Sequence, residues 1–198
     1  PQSVAITCVK PSGTVSQLVD AASGIHARHN PFYIRTVRGD KKDPLTKMMT
    51  DFGFPVEDDV MNPSQTAVFS FPMKVGSGAV FRTDMTAIQQ LELWLTYQKP
   101  WCEHKPSVTI SVKEEEWMEV GAWVYKNFDF MSGVSFLPFS DHSYQQAPYQ
   151  DTNKEGYEFL LEQMPKDVDW TKLAEYEKSD MTIGSQELAC AAGFCEIQ

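Results

Sequence analysis

The sequence predicts an α/β fold in which parallel strands alternate with helical crossovers, and three features of the 198-residue chain carry that prediction. Short runs rich in Val, Ile, Thr and Phe recur along it, as half-buried strands require. Between them lie segments whose apolar residues fall on one helical stripe, at i, i+3, i+4 and i+7. No internal repeat or low-complexity stretch interrupts the alternation.

Each element has its own local reason. Ser3–Val9 is an apolar, β-branched strand that starts without a lead-in, and residue 1 is Pro rather than Met. Both features predict a C-terminal piece of a longer polypeptide, or one half of a split one. Pro11-Ser12-Gly13 turns the chain into a helix from about Thr14 to Ala22, ended near Gly24. Tyr33 to Arg38 alternates as a strand. Asp43 and Pro44 supply an N-cap and a first-turn proline, and Leu45, Met48, Met49 and Phe52 stripe the helix that follows up to Gly53. Residues 54–65 carry prolines and asparagines among charges and predict a loop; Thr66–Phe71 resumes as a strand. Ile88, Leu91 and Leu95 predict a helix over about 84–98 that stops before Pro100. Ser107–Val112 is a strand. Trp117, Val120, Val124 and Phe128 form the inner face of the next helix, and Val134–Leu137 is a strand closed by Pro138. Thr152-Asn153-Lys154-Glu155 is a capping-box pattern ahead of Tyr157, Leu160 and Leu161, and a short helix follows near 169–177.

Composition narrows the function classes. A chain with 42% apolar residues can bury one sizeable core and a small appendage. No apolar run approaches the roughly 18 residues that a membrane-crossing helix needs. Pro1-Gln2-Ser3 has neither the basic nor the apolar region of a signal peptide. Four cysteines are too few for a disulfide scaffold, which fits a reducing, cytoplasmic compartment. The net charge of −10 argues against a broad nucleic-acid surface, leaving room for a nucleotide at one local site.

Two constellations carry chemistry. Lys10-Pro11-Ser12-Gly13-Thr14-Val15-Ser16-Gln17 lies where the first strand meets the first helix, so a helix start, a glycine and three hydroxyls converge. That combination suits a phosphate, although ordinary helix capping also uses Ser and Thr there, and the Gly-Lys-Ser/Thr ending of a Walker loop is missing. Near the other end, Cys190 and Cys195 are separated by Ala191-Ala192-Gly193-Phe194. A dithiol on a flexible terminus can reach a distant disulfide and exchange with it; two unrelated free thiols would share the same spacing. Glu187 and Glu196 flank the pair and no Lys or Arg follows Lys178, so nothing local activates these thiols. Their alkylation is therefore expected to quicken only when the tail docks in a more electropositive cavity. Equal alkylation rates in this chain alone and in a complete enzyme would contradict that expectation.

Several motifs occur together in a recognisable order. Cys8-Val9-Lys10-Pro11-Ser12-Gly13-Thr14-Val15-Ser16, then Gly24-Ile25-His26 and Tyr33-Ile34-Arg35-Thr36-Val37-Arg38, resemble the adenosylcobalamin-dependent (class II) ribonucleotide reductases. Glu103-His104-Lys105-Pro106-Ser107-Val108-Thr109-Ile110, Gly133–Phe139, Gln146-Ala147-Pro148-Tyr149-Gln150 and Glu187-Leu188-Ala189-Cys190 continue the resemblance. The short Cys-x4-Cys ending is similar to that of the monomeric ribonucleoside-triphosphate reductases.

The resemblance implies the C-terminal part of a ten-stranded α/β barrel over residues 1–150, a helical extension over 151–178 and a flexible redox tail over 179–198. It implies that Ser12, Gly13, Thr14, Val15 and Ser16 hold the phosphates of a ribonucleoside triphosphate. It also implies that Cys190 and Cys195 re-reduce the active-site disulfide and are themselves reduced by a thioredoxin-like protein. The cofactor implied is adenosylcobalamin, with contacts in this segment unassigned. The radical cysteine and the two reducing barrel cysteines of the family would lie upstream, in the missing N-terminal part, so this piece alone is expected to be inactive. Nucleic acid and membrane are not expected partners. A stand-alone thiol–disulfide adaptor, or a non-enzymatic nucleotide-binding module, are the rival functions, but neither accounts for the ordered motifs.

Other residues invite functional readings. Cys8 is expected in the core. Cys102 with His104 makes a poor metal site, and none is expected. His26, Arg28 and His29 lie in a loop where they could meet an anionic substrate. Arg35 and Arg38 could contact phosphate or face solvent, the latter being the more ordinary outcome for strand arginines. Glu114-Glu115-Glu116 complements a helix start. Trp94, Trp117 and Trp123 fall on helical stripes and are expected to pack in the core.

Overall fold

A computed structural model describes residues 2–139 and 144–179. The chain divides into two compact units, interleaved in sequence: residues 2–33 with 73–139, and residues 34–72 with 144–179, counting described residues only.

In the first unit α1 is Val15–Leu18, α3 Ala87–Gln98, β4 Thr109–Val112, α4 Trp117–Asn127 and β5 Ser135–Pro138. Here the expected βαβ crossover is realised, because β4 and β5 pair in parallel, Thr109 opposite Ser135 and Val112 opposite Pro138, with α4 between them in sequence. Ile110 and Val112 turn inward from β4 and meet Ala87, Leu91, Trp94 and Leu95 of α3 and Val120 and Trp123 of α4. The indole N–H of buried Trp94 donates to the Pro106 carbonyl at 3.0 Å, and that of Trp123 donates to Glu92 at 2.6 Å. Trp117 departs from expectation and lies half exposed, as does Phe128, which falls in a 3-10 turn past the end of α4 and is rotated off its inner stripe. A Thr86–Gln89 capping box opens α3. Glu116 adds to it: one carboxylate oxygen accepts the Ala87 N–H and the other the Lys113 N–H, both at 2.9 Å. The acidic run therefore holds two helix starts together.

The second unit is built on a four-stranded sheet in the order β2-β3-β1-β6, where β1 is Phe32–Asp40, β2 Val56–Asp58, β3 Thr66–Lys74 and β6 Tyr149–Asp151. The segment 54–65 is only partly the loop its composition predicts, because Val56–Asp58 pairs antiparallel with β3, Glu57 opposite Val68. A purely parallel arrangement is thereby corrected. Helix α2, Pro44–Asp51, starts where expected, with the Asp43 carboxylate accepting the Leu45 N–H at 2.7 Å. For α5, Lys154–Gln163, the cap is Asn153, one residue later than the Thr152 pattern suggests; its side chain accepts the Gly156 N–H. The last predicted helix is a 3-10 turn leading into α6, Leu173–Tyr176. Phe54, Ala67 and Phe69 form a core flanked by Met49, Phe52, Phe71, Met164 and Val168.

Gly39 of β1 faces Thr46 of α2 so closely that a Cβ at Gly39 would overlap the Thr46 hydroxyl. Gly39→Ala is expected to destabilise the chain by about 1–3 kcal/mol through overpacking. Urea unfolding would check this, and the companion Thr46→Ala should relieve most of the loss.

Both strand arginines find partners. Arg38 Nε donates to Asp59 at 3.0 Å and its guanidinium to the Gln146 carbonyl at 3.2 Å; Arg35 donates to the Pro148 carbonyl and stacks over Tyr149. Burial pushes the Asp59 carboxyl up, but hydrogen bonds from Arg38, Asn62 and Met61 outweigh it and hold its pKa below the ordinary value. A lowered native pKa means that the unfolded chain binds the proton more readily. The stabilisation is therefore complete at neutral pH and is lost as pH falls past the unfolded value of about 3.9 and through the native one. Denaturation midpoints at pH 7, 4 and 3 would check this, with Asp59→Asn expected to flatten the dependence.

The opening strand does not form a ladder. Residues 3–9 are extended, and the Thr7 and Val9 carbonyls accept the His104 and Ser107 N–H groups at 3.0 and 2.9 Å. Pro106 has no N–H to continue the pairing, and among the described residues no strand lies on the other side. Exposure alternates along the segment, so Val4, Ile6 and Cys8 face outward and Cys8 is no core residue.

Candidate functional site

The loop after this segment is folded by its own hydroxyls. Ser12 Oγ accepts the Ser16 N–H at 3.0 Å, the Ser16 hydroxyl donates back to the Ser12 carbonyl at 3.0 Å, and Ser16 is buried. Ser23 clamps the other side, accepting the Ser12 N–H and donating to the Ser12 carbonyl, both at 2.8 Å. These bonds hold α1 to a single turn rather than the longer helix that the sequence predicts. The Ala21 N–H reaches the Ser16 carbonyl and the Asp20 N–H the Gln17 carbonyl, a Schellman-type ending with Asp20 at φ +49° where glycine is usual.

The predicted phosphate residues thus split into two groups. Ser12 and Ser16 spend their side chains on the turn, whereas Gly13, Thr14 and Val15 are exposed, and Thr14 makes no side-chain cap. A Cβ at Gly13 would meet nothing within 4 Å. The returning chain is tighter: Gly24 has φ +61°, and a Cβ there would come within 3.1 Å of the Lys10 carbonyl oxygen. Because both strain and a rigid backbone oppose it, Gly24→Ala is expected to destabilise the loop by about 1–3 kcal/mol. Faster amide exchange confined to residues 10–24 would be the signature.

Next to the loop lies a cavity of about 670 Å³, lined on one side by Asp20, Ile25, His26 and Arg28 and on the other by Val80, Asp84, Met85 and Leu93. Arg28 is not available to a substrate anion. Its side chain is 9% exposed and donates to Asp20 at 2.6 Å, while its N–H donates to the Val80 carbonyl at 2.8 Å. The Arg28 hydrogen bond in turn holds the Asp20 carboxyl below its usual pKa. His26 is likewise engaged, since Nε2 accepts the Thr109 N–H at 3.0 Å and Nδ1 lies 2.7 Å from the Ser23 carbonyl. An acceptor at Nε2 places a proton on Nδ1, which donates to the Ser23 carbonyl, so both ring nitrogens are committed to the backbone. His29 packs edge-on against Tyr33. The anion-meeting role expected of His26 and Arg28 is therefore corrected: acids and carbonyls reached them first.

Cys102 is buried, and among the described residues no cluster of three or more His, Cys, Asp or Glu side chains could hold a metal. Among them, too, no helix is long and apolar enough to cross a membrane. Cys190 and Cys195 lie outside the described residues.

No family model matches the chain. It is 32% identical over 170 residues to the adenosylcobalamin-dependent ribonucleoside-triphosphate reductase of Euglena gracilis, covering 84% of this chain and 23% of that protein. A probable enzyme of the same name from Dictyostelium discoideum is 34% identical over 179 residues, 87% of this chain and 23% of its own length. The Lactobacillus delbrueckii enzyme is 27% identical across the whole of this chain. The crystal structure of a B12-dependent class II ribonucleotide reductase superposes with a TM-score of 0.70 and 26% identity, over 88% of this chain and 24% of that one. The chain is a homologue of the adenosylcobalamin-dependent ribonucleotide reductases. It spans about a quarter of the length of the relatives it matches. Its mixed α/β architecture is that of the matching part of the class II reductase structure.

The partners of the polar anchors Glu116, Arg28 and Gln146 were not visible in the sequence. Gln146 is the clearest case: buried at φ +57°, it bridges Glu57, the Asp58 carbonyl and the Val60 N–H. Only its place in the Gln146-Ala147-Pro148-Tyr149-Gln150 run hinted at it.

Proposed function

We propose that this chain is the C-terminal portion of an adenosylcobalamin-dependent ribonucleoside-triphosphate reductase, contributing part of a ten-stranded barrel. The similarity to reductases along 84–100% of its length carries the reading. Its loop at residues 12–16 takes the triphosphate of the substrate, with Gly13, Thr14 and Val15 presenting the exposed edge and Ser12 and Ser16 shaping it. Its terminal Cys190 and Cys195 pass two electrons to the spent active-site disulfide: that disulfide opens to two thiols, the tail closes to a disulfide, and a thioredoxin-like protein reopens the tail.

Trp94 and Trp123 are packed in the core with their N–H groups bonded, so neither presents a ring face to the corrin.

The test is the complete polypeptide with adenosylcobalamin, a ribonucleoside triphosphate and a dithiol reductant, the 2′-deoxy product being measured by chromatography. Gly13→Val fills space that the fold leaves open, so stability is expected to stay within about 0.5 kcal/mol while the substrate KM rises at least tenfold. An unchanged KM would remove the phosphate assignment, and absence of deoxynucleotide product from the unsubstituted enzyme would remove the reductase reading.

A further inference from the structure

We propose that Tyr33 and Arg28 are positioning residues that set the substrate affinity of the 12–16 loop by anchoring α1 from behind. The inference rests on the reading of that loop as the triphosphate site.

A one-turn helix cannot hold itself in water, because its nucleation cost is not recovered by a single hydrogen bond or two. The orientation of α1, and with it that of Gly13, Thr14 and Val15, must come from tertiary anchors. Two are present, and they are joined. The Tyr33 hydroxyl donates to Gln17 Oε1 at 2.5 Å from a side chain that is 1% exposed, so water offers it little alternative. The Arg28 guanidinium lies beside the Tyr33 side chain and donates to Asp20 at 2.6 Å. Asp20 is the residue that ends α1 in the left-handed conformation, a backbone state that a non-glycine residue keeps only when its surroundings hold it there. Gln17, Tyr33, Arg28 and Asp20 thus form a chain of contacts that starts inside α1 and returns to its C-terminal end. None of the four belongs to the Ser12–Ser16 loop itself. Releasing the chain lets α1 rotate and costs affinity at a distance, without removing any group that would touch the phosphates.

The experiment uses the complete enzyme with cofactor and compares Tyr33→Phe, Gln17→Leu, the double variant and Gly13→Val. Positioning predicts that Tyr33→Phe raises the KM for the ribonucleoside triphosphate about tenfold with kcat within twofold, that Gln17→Leu does the same, and that the double variant is no worse than either single one. Inorganic triphosphate as a competitive inhibitor should weaken by the same factor. The non-additivity and the KM-only effect are readouts that general destabilisation would not produce. If Gly13→Val raises KM while Tyr33→Phe and Gln17→Leu leave it unchanged, or lower kcat alone, the positioning role is overturned and the phosphate loop stands. If Gly13→Val itself leaves KM unchanged, the loop assignment falls and the positioning role falls with it. Should Tyr33→Phe not fold, the surface-side Gln17→Leu decides alone by the same criterion.

Discussion

Serine at both Cys190 and Cys195 is expected to stop sustained deoxynucleotide formation by the complete enzyme when a thioredoxin-like protein is the reductant, by a factor of about 100 or more. The physical reason is access and nucleophilicity together. Exchange needs a thiolate in line with a disulfide sulfur, and a serine hydroxyl cannot take that part at neutral pH. Under the proposed function a first turnover survives, because the electrons for it are already stored in thiols elsewhere in the enzyme; only the second requires the tail. The check is rapid-quench product measurement, with a full initial burst and no steady state, and a small dithiol at high concentration restoring the later turnovers. Steady-state turnover of the double variant at the unsubstituted rate with the protein reductant would show that the tail carries no electrons.

The largest structural effect is expected at Trp94. Its ring is fully buried between α3 and β4, within the cluster of Leu91, Ile110 and Val112, and its N–H satisfies the buried Pro106 carbonyl. Trp94→Ala opens a cavity and strands that carbonyl, so a loss of about 3–5 kcal/mol is expected, enough to unfold a domain of ordinary stability. Trp94→Phe keeps most of the volume and removes only the donor, for which about 1–2 kcal/mol is expected. Urea unfolding followed by circular dichroism separates the two, and equal losses would mean that packing contributes little beyond the hydrogen bond.

Much of the fold was legible because it rests on local periodicity. The α2 helix with its Asp43 cap, the stripe of α3 and the alternation of β4 are dictated by residues two to four apart, and they occur within three residues of where predicted. The opening strand, the length of α1 and the short strand Val56–Asp58 were not legible, since each depends on partners far along the chain: Ser107 and His104, Ser23, and Val68 with Phe69. The same division runs through the candidate site. The order of the motifs points to a ribonucleotide reductase without any geometry, and the similarity to the Euglena and Dictyostelium enzymes agrees.

Arg28, Arg35 and Arg38 mark where composition stops being informative. A free arginine and one committed to an ion pair look identical in sequence, and only the chain's return brings Asp20, Asp59 and the Gln146 and Pro148 carbonyls within reach of them. The sequence by itself determined the alternation of helix and strand, the Asp43 cap and the motif order, because these follow from the side chains of near neighbours. The tertiary structure alone decided which charges are neutralised and which loop groups stay exposed, because burial and hydrogen-bond partnership are properties of residues distant in the chain.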